Sequence, residues 1–257
     1  MRFASLGSGS AGNALVVQEG GTCLLLDCGF GIKEVLSRLA RLGLSPEMLS
    51  GIVITHEHDD HAGGAFKFAN KYKIPVWLTH GTLCMAERYF PAHINFTLNT
   101  IDSHESLSIG DIYIQPFPVP HDAREPVQFT FSNGDKKLGI LTDTGTSTAH
   151  IEKMLSACDA LVLECNHDLE MLMNGPYARA LKQRVNSRLG HLDNQSSAQL
   201  LSKLDNTKLQ HIFAAHLSAK NNHPTLAKQA LSSVLNCEND WIGIADQAIG
   251  FDWRELS

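Results

Sequence analysis

The sequence predicts an α/β chain that stacks two β-sheets between layers of helix. Short β-type runs crowd its start, strand and helix patterns alternate through its second half, and no linker, repeat or low-complexity tract separates the two. Hairpins followed by alternating units bury sheet faces against each other and leave helices outside. Residues 1–257 read as one domain, since a single layered α/β domain fills that length comfortably.

The elements follow in order. "RFASL", "NALVVQ" and "TCLLLDCG" are strands. "KEVLSRLARLG" repeats apolar residues at helical spacing and stops at Gly43, where a glycine can close a helix in the left-handed conformation. "GIVIT" is a buried strand, "AGGAFKFANKYK" a helix, "PVWLT" a strand and "HGTLCMAERYF" a helix. Beyond "IDSHESLSIGDIYIQPFPV" come strands "VQFTFS" and "KLGILTD", joined by the turn "NGDK" into a hairpin. The second half runs helix "TAHIEKMLSAC", strand "ALVLEC", helices "YARALKQRVNSRLG" and "NQSSAQLLSKL", strand "HIFAAHLS", helix "TLAKQALSSVL" and strand "WIGIAD".

Composition excludes several classes. No apolar run approaches the ~18 residues of a membrane span, so no membrane partner is expected. "MRFASLGSGS" has one basic residue and no apolar core, unlike a signal peptide. The six cysteines form no CxxC pair and read as reduced thiols of a cytoplasmic protein. A formal charge of −6 gives no support for nucleic-acid binding by the whole surface, though a local basic patch remains open. Thirteen histidines raise the expectation of a metal.

"IVITHEHDDHAGG" concentrates that expectation. His56, His58, Asp60 and His61 directly follow a strand. His56 and His58 point to one side of an extended chain, and a turn into the next helix swings Asp60 and His61 towards the same point. Gly63 and Gly64 let the backbone pass close by. Imidazole with carboxylate suits zinc, manganese or iron. Glu57 and Asp59, inside the motif, point away. His121 in "FPVPHD", Asp143 in "LGILTDTG" and His216 in "IFAAHLS" each close an apolar segment, at the strand-to-loop switches where α/β proteins bind ligands.

H-x-H-x-D-H followed by His, Asp and His at strand ends resembles the metallo-β-lactamase fold superfamily over essentially the whole chain. The resemblance implies a four-layer αββα sandwich of two mixed β-sheets and two divalent metal ions. One ion would take His56, His58 and His121, the other Asp60, His61 and His216, with Asp143 bridging. Asp27 in "LLLDCG" would support a ligand from behind, and Asp122, beside His121, reads as a second such acid. Two cations sharing a carboxylate and a hydroxide provide a nucleophile at neutral pH and a clamp for an oxyanion.

Further motifs select a branch. Asp143 stands where the best-known zinc β-lactamases use cysteine, which favours phosphodiesters or thioesters over β-lactams. Glu164 in "LVLEC", His191 in "RLGHLDN" and the "HLS" at His216 are similar to tRNase Z and its phosphodiesterase relatives. There the extra histidine, oriented by the glutamate, is the proton donor to the leaving oxygen, a role worth ~10²–10⁴-fold. The catalytic set is thus Asp60, His191 and Glu164. "SLGSGSAGN", "PHDAREP", "ECNHDLEMLMNGPYARALKQRVNSRLGHLDN" and "HLSAKNNHP" together resemble the YycJ-like group, bacterial proteins linked to 5′-to-3′ exonuclease action on DNA. Where that group continues as P-x-G-Y, this chain has Pro126-Val127-Gln128-Phe129.

Substrate contacts are sought around these motifs. "GSGSAGN" lacks the Lys-Ser/Thr of a P-loop, and Ser8, Ser10 and Asn13 are the candidates in that loop. Arg179, Lys182, Arg184 and Arg188 place four positive charges in ten residues, a possible phosphate track in which Arg184 and Arg188 stand nearest the His191 motif. Ser218, Asn221 and Asn222 follow His216, and His167 and His223 lie near motif segments. The expected partner is nucleic acid or another phosphodiester, with oligomeric state open and a homodimer among the options. Three alternatives stand beside the nuclease: a small cyclic phosphodiesterase, a thioester hydrolase resembling glyoxalase II, which would need a helical C-terminal region, and a non-catalytic metal-bearing nucleic-acid-binding protein.

Overall fold

The computed structural model describes residues 1–257. β1 (Arg2–Gly7), β2 (Ala14–Glu19) and β3 (Thr22–Leu26) form an antiparallel meander. α1 (Ile32–Arg41) leads to β4 (Gly51–Val53), the short α2 (Asp59–Ala62) and α3 (Ala65–Tyr72) to β5 (Val76–Thr79), and α4 (His80–Ala86) to β6 (Leu98–Ile101). β3 to β6 run parallel. In the second sheet, β7 (Leu107–Ile109), β8 (Ile112–Pro118), β9 (Val127–Ser132) and β10 (Lys137–Leu141) are antiparallel. α5 (Ala149–Leu155) leads to β11 (Ala160–Glu164). α6 (Leu169–Asn174), α7 (Arg179–Val185) and α8 (Asn194–Lys203) precede β12 (His211–Ala215), and α9 (Pro224–Leu235) precedes β13 (Gly243–Ile244). β10 to β13 run parallel. β14 (Phe251–Glu255) returns to the first sheet and pairs antiparallel with β1. Each sheet has seven strands, in the orders β14-β1-β2-β3-β4-β5-β6 and β13-β12-β11-β10-β9-β8-β7.

The apolar runs are continuous because both sheet faces are covered. In β3, Leu24 and Leu26 face the core between the sheets while Leu25 packs under α1 and α3 with Val35, Leu39 and Phe66. In β11, Ala160 and Val162 face the other sheet, while Leu161 and Leu163 meet Leu200, Leu201 and Leu231 of α8 and α9. The period-2 alternation of a strand thus feeds two apolar layers at once. Three such layers separate two sheets and two helical layers, giving the αββα sandwich. Burying one leucine such as Leu25 stabilises by about 2 kcal/mol, and its truncation to alanine would cost ~2–5 kcal/mol.

The structure departs from the sequence expectations in several places. The helix expected over 177–190 ends at Val185, because the chain must curl there: His191 N–H donates back to Val185 O, and the backbone of Arg188 and Gly190 presses on Gly145. The strand expected over "WIGIAD" shrinks to Gly243–Ile244, since Asn239–Trp241 form a 3₁₀ turn and Asp246 accepts N–H bonds from Ala248 and Ile249. α6 had a legible start, as the Asp168 side chain caps it by accepting from Met171 N–H. Residues Phe251–Glu255 pair with β1 as a strand, where the glyoxalase II alternative expects helix. No helix is long and apolar enough to cross a membrane.

Candidate metal centre

Every candidate ligand lies past the carboxyl end of a strand. His56, His58, Asp60 and His61 follow β4, His121 follows β8, Asp143 follows β10, Glu164 ends β11 and His216 follows β12. Asp27, Asp143 and His216 adopt left-handed backbone conformations, with φ of 58°, 51° and 55°. Such residues cost ~1–3 kcal/mol each unless the surroundings hold them. The strain turns each side chain back across its strand end into one pocket.

Two triads meet there. His56 Nε2 lies 3.0 Å from His58 Nδ1, and His121 Nε2 lies 3.2 Å from the same atom. Asp60 Oδ2 lies 3.2 Å from His216 Nε2 and 3.5 Å from His61 Nε2. Asp143 stands between: it can share a cation with His56 and His61 together, one from each triad. The far nitrogens fix the tautomers. His61 Nδ1 donates to Asp27 Oδ2 at 2.8 Å, and His121 Nδ1 donates to the Gly190 carbonyl at 3.1 Å. Asp27 is itself held by Thr55 N–H at 2.8 Å. His61 Nε2 and His121 Nε2 are thereby left as lone-pair donors aimed into the pocket.

The donor set fits a divalent metal. Asp143 Oδ2 is buried and has no hydrogen-bond partner. Such an orphaned carboxylate oxygen among imidazole lone pairs is what a cation satisfies. The titration behaviour agrees. Burial, with the charge of His61, pushes His56 well below the usual histidine range, and burial lowers His121 too. Burial opposes protonation of His61 and His216 as well, but the carboxylates around them outweigh it. Asp143, Asp60 and Asp27 hold His61 well above its usual value, and Asp143, Asp60 and Glu164 raise His216 to about 10. Protons and a metal ion compete for these atoms.

Beside the pocket, Glu164 is fully buried; burial favours its neutral form, but His191 holds its carboxyl low, at about 2. It accepts from Thr144 N–H at 3.0 Å and Leu192 N–H at 3.2 Å, and its Oε1 lies 2.8 Å from His191 Nδ1. Burial disfavours the charged His191, yet Glu164 outweighs it and raises the imidazole above its usual value. Asp122 Oδ1 lies 3.5 Å from His121 Nε2, while its Oδ2 binds Arg184 Nε at 2.6 Å.

The expected substrate contacts divide. Ser10 is exposed and lines the cleft over the ligands, as do Arg184 and His191. Ser8 and Asn13 are buried beneath it: Ser8 Oγ accepts from His216 N–H, and Asn13 Nδ2 donates to Asp60 Oδ2. His167 is fully buried beside Asn166 and reaches no solvent. Ser218, Asn221 and Asn222 are also buried; Asn222 bonds Cys165 O and Asn194, so these residues brace the loop after β12 instead of rimming the cleft. His223 caps α9. Arg188 is exposed but does not line the cleft, so the run of four cations contributes Arg184 alone to its lining. Glu57 turns away, as expected, to accept from Arg124 N–H; Asp59, expected to turn away as well, instead lines the cleft, where it accepts from Tyr89 OH.

Sequence reading missed Tyr177, Leu181 and Arg88, which also line the cleft. The four-residue spacing of Tyr177, Leu181 and Val185 was a visible signal. Arg88, which follows α4, had none.

The sequence matches the Beta-lactamase superfamily domain over residues 22–212. It is 36% identical over 250 residues to the exodeoxyribonuclease YycJ of Bacillus anthracis, covering 95% of this chain and 93% of that protein. It is 33% identical over 255 residues to the exodeoxyribonuclease WalJ of Streptococcus pneumoniae serotype 2, covering 98% of this chain and 92% of that one. Among solved structures, the metallo-beta-lactamase fold protein YhfI from Bacillus subtilis matches with a TM-score of 0.76 over 98% of both chains, at 18% identity, a likeness of fold.

Proposed function

This chain belongs to the beta-lactamase superfamily, and from that premise we propose that it is a metal-dependent phosphodiesterase that shortens DNA strands, a 5′-to-3′ exonuclease. The observation that carries the reading is the Glu164–His191 pair at the edge of the cation pocket. A thioester needs no such acid, because a thiolate leaves unaided; a phosphodiester does, because an alkoxide leaves phosphorus poorly until it is protonated.

The residues divide the work. His56, His58 and His121 would hold one divalent cation and Asp60, His61 and His216 a second, with Asp143 shared. Zinc or manganese suits this donor set, and iron is compatible with it. Two ligand triads, with Asp143 able to share a cation with one histidine from each, support two ions over one. When bound, the cations supply a nucleophile at neutral pH and positive charge for the phosphoryl oxygens. Asp27 and Asn13 keep His61 and Asp60 oriented. His191, its Nδ1 tied to Glu164, keeps Nε2 as the proton donor to the leaving oxygen, and the Glu164 carboxylate raises the affinity of its ring for a proton. Asp122 tethers Arg184 at the mouth, where the guanidinium can meet a phosphate.

Residues 1–257 act as one catalytic domain in this reading, since ligands come from both sheets. Six free thiols agree with a cytoplasmic protein. The test is digestion of end-labelled oligonucleotides after chelation and re-addition of zinc or manganese, alongside metal analysis of the fresh protein. Release of mononucleotides from the 5′ end is expected. Thioester cleavage with intact oligonucleotides would overturn the reading.

A further inference from the structure

We propose that Tyr177 and Leu181 form a platform on which the base next to the cleaved phosphate stacks, so that the cleft admits a strand end and holds about one nucleotide. This rests on the nuclease reading and adds to it the part of the substrate that is gripped.

The cleft over the ligands encloses about 370 Å³. That lies near the lower end of small-ligand sites, ~300–1,000 Å³, and suits one nucleotide, not a duplex. Its lining has two characters. One part is the ligand cluster with His191. The other is apolar: Tyr177, Leu181 and Val185. Leu181 and Val185 share one face of α7, and Tyr177, two residues before the helix begins, lines the same cleft. Leu181 is 39% exposed, an apolar surface left uncovered inside an otherwise charged cleft. Lys220 Nζ stands 5.8 Å from the centre of the Tyr177 ring, which is half-buried in the cleft wall.

Two cations complete the lining. Arg88 Nη2 donates to Glu57 O at 3.1 Å and to Tyr89 OH at 2.6 Å, and Arg184 Nε is held by Asp122. The remaining guanidinium nitrogens of both have no protein partner and can donate to phosphate oxygens. An aromatic and apolar stripe with two held guanidiniums matches a chain that alternates flat bases with anionic phosphates. A base inside a strand is stacked on both sides, so the fit is to the base at a strand end.

The test compares a single-stranded DNA with the same strand lacking its terminal base. Removing the base should raise the wild-type KM about 10- to 100-fold, the range expected when one base stacks on an aromatic ring. Tyr177→Ala should raise KM by the same factor on the intact strand and leave the abasic strand unchanged; Tyr177→Phe should behave as wild type. A wild type indifferent to the missing base, or equal losses in Tyr177→Ala on both strands, would overturn the platform. Should wild type degrade neither strand, the nuclease reading falls, and the platform is decided on thymidine 5′-(p-nitrophenyl phosphate) against methyl p-nitrophenyl phosphate. A lower KM for the nucleoside ester that Tyr177→Ala abolishes supports it, and equal KM values overturn it.

Discussion

Asp143 Oδ2 lies 2.9 Å from His61 Nε2, while the other ring nitrogen of His61 is taken by Asp27. The raised affinity of His61 for a proton places that proton in the gap in the metal-free protein; with the imidazole neutral, two lone pairs would face each other there. Only a proton or a cation between them removes the repulsion. Asp143→Ala should therefore lower metal content by about one ion per chain, because two cations a few ångströms apart lose the carboxylate that screens them. Metal analysis after gel filtration checks this; full occupancy in the variant would refute the shared role of Asp143.

Metal removal should destabilise the protein, and more so as pH rises. In the chelated protein His61 and His216 carry raised pKa values, His216 to about 10. The stability they contribute is complete below the unfolded histidine value of ~6.5 and is lost as pH rises through the folded values. Asp60 and Asp143, held low by those imidazoles, act in the opposite sense: their contribution is present above ~3.9 and is lost as pH falls through the folded values. Bound cations replace the protons, so the thermal gain from added zinc or manganese should grow between about pH 6 and about pH 9. A gain that shrinks over that range in a thermal-shift series would contradict the ligand assignment.

His191→Ala should keep its full metal content, since His191 is placed to donate a proton and not to bind an ion. Oligonucleotide cleavage should fall ~10²–10⁴-fold, while p-nitrophenyl phosphodiesters, whose leaving group departs without a proton, should lose far less. Loss of metal would make His191 a ligand, and equal losses on both substrates would make it a binding residue.

Arg184 and Arg188 should separate. Arg184 lines the cleft and Arg188 does not. Arg184→Ala should weaken binding of long strands and flatten its salt dependence, with a slope change near one phosphate's worth. Arg188→Ala should change neither by more than about twofold. Equivalent effects from the two, measured by fluorescence anisotropy across a salt series, would place the phosphate track along the whole segment.

What the sequence determined by itself was whatever local pattern encodes. Strands such as β3 and β11 are legible because burial on both faces demands an unbroken apolar run, and the H-x-H-x-D-H spacing is legible because six residues of chain suffice to bring those donors together. His121, Asp143 and His216 were found by the same logic, as polar residues closing apolar strands. Tertiary structure alone decided the rest. Ser8, Asn13 and Asn222 look like surface polar residues in sequence, yet each is buried, satisfying backbone or ligand groups far away in the chain; His167 is buried too, beside Asn166. Gly190 carries no side chain to announce that its carbonyl sets the His121 tautomer. Arg88 and Tyr177 meet in one cleft from segments nearly ninety residues apart. Burial leaves a periodic trace along the chain; the convergence of distant loop residues leaves none, because it depends on how two sheets stack and on where each strand's end is turned.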